Sequence, residues 1–340
     1  MTTTPDDVST VLRVFYGSPA ELVNEGDTLS VDCESSSSRT WHGHVDGLDA
    51  SEKAFVSAGA LRKSVLPTAP DFEFAGVPTE PQDMLVTHLA QLAGETAITG
   101  FILRRGVDIA DGAQLPTFDF ASTEEFAPTA AALTIEGTGG GVVTSLTTLR
   151  TSRSSLALPL IPGQVAGTRR YYALPTAALQ AGDLQQLHLS ADETDSSTRT
   201  MDLYFREATD RTIALGASLS PPIISMDPWW PSPLLRARFA ALEDYDQSAS
   251  LVLLQAGGGA IVSVSMTTSY VGLPESGFEL NVPDLVSVSG FQENWTLRPG
   301  VNVLWTATLT GGTVPLGRNA VPVVDAFRRT ASIRGTLNTP

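Results

Sequence analysis

Apolar residues in this chain recur at every second position over short runs, and the runs end at Gly, Pro, Asn or Asp. Successive side chains on an extended backbone point to opposite sides, so this alternation marks strands with one face buried. VLRVFYG, DTLSVDC, RTWHGHVDG and KAFVSAG carry the pattern near the start. ALTIEG, GVVTSLTTL, LQQLHLSA, TMDLYFREA, SLVLLQA, AIVSVSMTTSYVG, GFELNVPDL, VNVLWTATLTGG and TASIRGTL carry it further on. Helical spacing is confined to two short stretches, Thr176 to Ala181 and Ser122 to Phe126. Such a chain satisfies its backbone by building sheets and buries their apolar faces by stacking them. The expected fold is all-β: three consecutive β-sandwich domains in an elongated chain. Its 340 residues suit that number, at roughly 100–150 residues per domain. Proline clusters place the boundaries, one near Pro128 and one between Pro221 and Pro233, because proline fixes φ and lacks a backbone donor. The segments are 1–127, 128–222 and 223–340.

Charge narrows the partners. There are 37 acidic and 21 basic residues, a net charge of −16, and the only lysines are Lys53 and Lys63. A field of this sign repels phosphate backbones and anionic headgroups, so no nucleic-acid binding and no polybasic membrane foot are expected. Charged residues make up 17% of the chain, so Thr, Ser, Gln and Asn must supply much of the polar surface. That style is associated with exported β-rich proteins. No apolar run reaches the ~18 residues of a membrane helix, so no transmembrane segment is expected. A lone cysteine, Cys33, excludes an intrachain disulfide and reads as a small buried hydrophobe. The opening MTTTPDDVST has neither a basic nor an apolar leader region; it fits a cytosolic start or, the favoured reading, the mature end of an exported protein with its leader removed. A periplasmic or cell-surface location follows as the expectation.

The stretch DFEFAGVPTEPQDMLVTHLA, Asp71 to Ala90, is the most informative hairpin. Phe72, Phe74 and Val77 share a face if Gly76 makes a bulge. Beyond Pro81, Met84, Val86 and His88 lie on one face, and Leu85, Thr87 and Leu89 on the other. Gly76 and the two prolines shape the turn, and Glu80 and Asp83 read as solvated loop acids. F-x-F-A-G-V-P followed by D-M-L-V-T resembles the late hairpin of carboxypeptidase-regulatory-like (prealbumin-like) modules, which are small Greek-key sandwiches of bacterial envelope proteins. FILRRGVDIADGAQLPTFDFAS resembles their closing strands. The resemblance covers about the first 125 residues. It departs where Gln82 replaces the usual Gly and where LPTAPD replaces a Gly-rich turn. It implies a module that spaces, docks or binds, and it transfers no catalytic residue. The other two segments are immunoglobulin-like in style.

Several groups invite chemistry. Trp229 and Trp230 sit among prolines in MDPWWPSPLL. With Tyr245 or Tyr270 they could stack on sugars or anchor a protein partner, or they could plug the seam between the second and third segments. His42, His44 and Asp46 share one strand face and are candidate metal ligands, although a structural zinc site needs four ligands. His88 and His188 are isolated in the sequence, and each reads as a satisfied or exposed strand residue. Acids crowd Asp108 to Gly112 and Asp192 to Ser197 without the EF-hand spacing, so turn chemistry is the simpler reading. GTGGGVV, Gly137 to Val143, reads as a hairpin loop. Trp295 and Trp305 read as core, and Asn294 fits a glycosylation pattern. No G-x-S-x-G or H-E-x-x-H occurs, and the adjacent acids Glu124–Glu125 and Glu243–Asp244 would point apart on a strand. No cofactor is expected. The functional expectation is a non-catalytic structural or interaction protein of the bacterial cell envelope, an accessory subunit with protein partners in a membrane-associated complex. The alternatives are a glycan-binding surface protein and a hydrolytic enzyme.

Overall fold

The computed structural model describes residues 11–18, 21, 38–92, 95–139, 141–158, 168–194, 196–228, 234–255, 260–272, 277–285, 288–292, 295–317 and 320–340. These residues are almost entirely strand and connecting turn. Ahead of the first core comes β1 (Val11–Tyr16). The first segment continues with β2 (Ser38–Asp46), β3 (Lys53–Ala58), β4 (Leu61–Val65), β5 (Asp71–Pro78), β6 (Gln82–Leu92), β7 (Glu95–Val107), β8 (Phe118–Asp119) and β9 (Glu125–Phe126). The second holds β10 (Thr129–Glu136), β11 (Val142–Arg150), β12 (Ser155–Ala157), β13 (Thr168–Ala173), β14 (Leu184–Asp192), β15 (Ser197–Phe205) and β16 (Arg211–Ala214). The third holds β17 (Ile223–Asp227), β18 (Leu234–Arg238), β19 (Ser248–Gln255), β20 (Ile261–Thr267), β21 (Glu279–Asn281), β22 (Asn302–Gly312) and β23 (Phe327–Asn338). No helix among the described residues is long and apolar enough to cross a membrane.

Three sandwich-like cores follow the alternation. In the first, Trp41 and Val45 of β2, Phe72 and Phe74 of β5 and Phe118 of β8 meet Ala54 and Val56 of β3, Met84 and Val86 of β6 and Ile102 of β7. Gly43 is required there: a Cβ would stand 2.1 Å from the Phe72 ring, which lies across the strand. In the second core, Leu133, Tyr171 and Ile213 of the β13-β10-β16 sheet face Leu187, Leu189, Met201 and Phe205. In the third, Leu235, Ala237 and Leu280 of the β17-β18-β21 sheet face Leu251, Val264, Trp305 and Ile333.

The sheets do not stop where the cores do. One nine-stranded sheet runs β1-β20-β19-β22-β23-β15-β14-β11-β12, so the second and third segments share it. Its seam is the antiparallel pairing of β15 with β23, from Ser197↔Ile333 to Leu203↔Phe327. The prolines near 222 therefore mark a change of core without breaking the backbone ladder. A further apolar cluster ties the first segment to the second: Leu85, Leu89, Ile98 and Phe101 pack with Leu149, Leu156, Leu158, Leu174 and Ala178.

Other expectations are corrected. Ser122 to Phe126 is a turn entering β9, and Thr176 to Ala181 keeps only the single 3₁₀ turn Thr176–Ala178. Both runs are too short to nucleate a helix without tertiary support. Trp305 is core, but Trp295 is half-buried beside Phe291, ring centroids 6.1 Å apart and nearly perpendicular. DTLSVDC, with Cys33, lies outside the described residues, as do Asn294, Trp229 and Trp230.

Candidate functional site

The junction of the first two segments is built on an acid that reads from sequence as solvated. Asp83 is fully buried. Its Oδ1 accepts a hydrogen bond from the Gly106 amide (2.7 Å), and its own amide donates to Ser154 Oγ (3.1 Å). Arg105 Nη1 lies 3.8 Å from Asp83 Oδ2, while Nη2 donates to Asp183 Oδ2 (2.7 Å) and to the Ala178 carbonyl (3.0 Å). Asp183 is buried too and also accepts from the Gln180 amide (2.7 Å). One guanidinium thus lies between two buried carboxylates from different segments. Ser154 Oγ donates to Gln82 Oε1 (3.3 Å), and the Ala157 amide donates to Ser57 Oγ (3.2 Å), closing the seam around it.

At the second junction, Tyr245 is a clamp rather than an exposed anchor. It is 2% exposed, within the third core, and its hydroxyl donates to the Ala217 carbonyl (2.8 Å). Gly216 approaches so closely, at φ +64, that a Cβ would lie 2.9 Å from that hydroxyl. The buried Arg199 donates to the Gly216 carbonyl (2.7 Å) and pairs with Glu193. Asp244 Oδ2 accepts from the Ala217 amide (3.0 Å), and Asp244 Oδ1 accepts from Arg329 Nη1 (3.2 Å). Burial, reinforced by the Asp244 carboxylate, pushes the Tyr245 phenol up to about 12. Ultraviolet titration should accordingly show a phenolate step in that range that disappears in Tyr245→Phe. That variant should also lose about 0.5–1.5 kcal/mol in denaturant titration, because it leaves the Ala217 carbonyl without this donor.

All four histidines face carboxylates. His44 Nδ1 lies 2.6 Å from Asp71 Oδ1 and Nε2 lies 3.0 Å from Asp46 Oδ1. Both nitrogens can donate only in the imidazolium, which leaves no lone pair for a metal. His42 lies 3.6 Å from Glu73 instead. The predicted metal trio of His42, His44 and Asp46 is therefore arranged as ion pairs. Among the described residues no three His, Cys, Asp or Glu side chains are placed to hold a metal. The acids of the two turns are engaged as well: Asp111 Oδ1 accepts from the Thr40 amide (2.6 Å), Asp108 meets Arg39, and Asp192 Oδ1 accepts from Thr198 Oγ1 (2.8 Å). His88 is a strand residue on β6 with close neighbours. It stacks on Phe120 (4.5 Å), lies 2.9 Å from Glu52 and 3.7 Å from Glu125, and opposes Gly100, over which the Glu125 side chain folds. His188 Nδ1 pairs with Asp202 Oδ1 at 2.7 Å, and Gln186 Nε2 donates to the same oxygen (2.7 Å).

These contacts give a pH dependence with a definite sign. The hydrogen bond to Asp71, then that to Asp46, raises the His44 pKa. The hydrogen bond to Asp202 raises that of His188 against the opposing effect of burial. Each proton is held more tightly in the folded chain. The resulting stability is complete below about pH 6.5 and is lost as pH rises through the raised values. Imidazole resonances followed by NMR should place both midpoints above that of a free histidine, and Asp202→Asn should lower only that of His188. Unshifted midpoints would contradict the pairing.

The remaining predicted site residue, Tyr270, lies on the open edge of the nine-stranded sheet. It is 56% exposed, on the single helical turn Thr268–Val271 that follows β20. Beside it runs β1, parallel to β20 from Val11↔Ile261 to Tyr16↔Met266. Leu12, Val14 and Tyr16 face the third core. The Tyr16 ring lies 5.5 Å from that of Tyr270, and its hydroxyl donates to the Asn281 carbonyl (3.0 Å). Glu21 fastens the end of this segment. Its Oε2 accepts from the Ser18 amide (2.8 Å), Thr267 Oγ1 (2.9 Å) and the Ser269 hydroxyl. Burial would raise the Glu21 pKa, but these hydrogen bonds outweigh it and lower the value. VLRVFYG reads from sequence as a strand of the first domain; its alternation gave the strand but not the distant edge it completes.

No family model matches this chain, and no curated protein matches it. Among solved structures, a candidate carbohydrate-binding protein from Bacteroides uniformis aligns over 62% of this chain and 98% of its own, at 10% identity and a TM-score of 0.24. A likeness at that score carries no argument about this chain.

Proposed function

We propose that the protein is a non-catalytic interaction protein of the bacterial cell envelope, a train of three sandwich domains of immunoglobulin-like or prealbumin-like style. In this reading it serves as an accessory subunit on a larger membrane-associated assembly. The observation that carries the reading is the fusion of the three cores. One sheet serves the second and third, and an apolar seam with a buried Asp–Arg–Asp bridge joins the first and second. Joints of this kind hold surfaces at fixed spacing, which suits docking. The recesses fit the same reading. One of about 250 Å³ is lined by Glu52, Lys53, Leu66, Leu89 and Gln91 among others, with a single carboxylate, where glycoside hydrolysis uses two. The Lys-poor, weakly charged composition supports a place outside the cytoplasm. Cross-linking in intact cells, followed by native purification, tests it: the chain is expected in a complex larger than itself. Recovery as a free monomer that turns over an ester or glycoside would overturn the reading.

A second reading, glycan binding, is favoured by the exposed ring of Tyr270 beside Tyr16. A glycan array comparing the native chain with Tyr270→Ala tests it, and identical, empty arrays dismiss it.

A further inference from the structure

We infer that β1 is an exchangeable strand, and that the β20 edge accepts the Val11–Tyr16 strand of a second copy of this chain. The inference rests on the reading of the protein as an assembly component, and it names the partner.

Topology is the first argument. β1 precedes the first core in sequence yet completes the third, with Tyr16 bonded to Asn281 across 265 positions. Among the described residues it stands at the end of the strand order, with β20 as its one neighbouring strand. Its removal therefore breaks one ladder. That ladder is parallel, the slightly weaker kind per residue. What remains is an open edge on β20, with unpaired backbone groups beside the core positions Val262, Val264 and Met266. An unprotected edge of this kind is a template for another strand.

Recognition is the second argument. On the donor side the named contacts come from one short stretch: the Val11–Tyr16 backbone, Leu12, Val14 and Tyr16 on the buried face, and the Glu21 carboxylate behind them. It is received by the β20 ladder, by Thr267, Ser269 and Tyr270 just beyond it, by the Asn281 carbonyl of β21, and by the third core, where Leu12 shares a recess with Leu235, Val282 and Leu297. Donor and acceptor are thus stretches of one chain far apart in sequence. The contacts made within a chain are equally available between two, which is the condition for domain swapping.

Cysteine pairs placed by register test this in the full chain, with Cys33 replaced by Ser. Arg13 and Ser263 are Cα partners on the outward face. Chains carrying Arg13→Cys are mixed with chains carrying Ser263→Cys, incubated and oxidised. A disulfide heterodimer is expected, at least roughly tenfold above the off-register mixture with Ser265→Cys, whose Cα separation exceeds disulfide reach. Phe15→Cys with Ser265→Cys is the second in-register pair, used if either first variant fails to fold. One chain carrying both Arg13→Cys and Ser263→Cys should close internally. Internal closure without heterodimer overturns exchange, since β1 would then be fixed within its own chain. Failure of both overturns the acceptor edge itself. Neither result bears on cross-linking in cells, which decides the broader reading separately.

Discussion

Arg105→Met is expected to destabilise the protein by about 3–5 kcal/mol, the usual cost of removing one partner from a buried ion pair. Asp83 and Asp183 are both buried and belong to different segments, and this guanidinium reaches both. Asp83 Oδ2 has no hydrogen-bond donor, so electrostatic attraction from Arg105 is its main compensation. Arg153 lies 3.7 Å from the other oxygen but is itself half in water, where its charge is screened. Methionine fills similar volume, so the loss reports charge more than packing. Asp83→Asn and Asp183→Asn, added to Arg105→Met, should recover most of it. Asparagine still offers a carbonyl oxygen to the Gly106 and Gln180 amides. Urea midpoints of the single and triple variants give the measurement. A loss below about 1 kcal/mol for Arg105→Met would place the network on the level of a surface ion pair.

Phe101→Ala is the second large effect, at about 3–5 kcal/mol for truncating a buried phenylalanine. Phe101 and Ile102 are neighbours on β7, yet they enter different cores. Ile102 belongs to the first segment's own core, and Phe101 to the cluster shared with Leu149, Leu156 and Leu158. Truncation at 101 should therefore loosen the joint while leaving the first sandwich intact. Calorimetry is expected to show the first segment melting apart from the other two, which remain one unit through the β15–β23 ladder. Leu149→Ala opens the same seam from the opposite side, so the double variant should cost less than the sum of the singles. A single unchanged transition for Phe101→Ala would mean the joint does not couple the segments.

The same strands show how far the sequence could be read. Alternation placed Phe72, Phe74, Met84 and Val86 in the first core, and there they lie. It also put Leu85 and Leu89 on the opposite face of β6, and that face proved equally buried. The signal was present in DMLVTHLA, which is apolar on both faces, the pattern of a strand covered from two sides. Asp83 could not be read that way. Its surroundings look polar, and its partners come partly from Arg105 and Gly106 on β7 and partly from Arg153 and Ser154, some seventy positions on, in another segment. Among the candidate site residues, Tyr270 was placed on an exposed helical turn beside the sheet edge, and Tyr245, in the polar stretch LEDYDQ, in a core.

The amino-acid order by itself determined that this chain forms strands, where most of them turn, and which side of most of them is apolar. It did so because side-chain period and backbone freedom are local properties, set within a few residues. Tertiary structure alone decided that β23 returns to β15, that β1 crosses to β20, and that the acid at the start of β6 is sealed between two segments. A ladder's hydrogen bonds are the same whichever strand supplies them, so the choice of partner falls to whichever edges and faces remain open once the whole chain has collapsed.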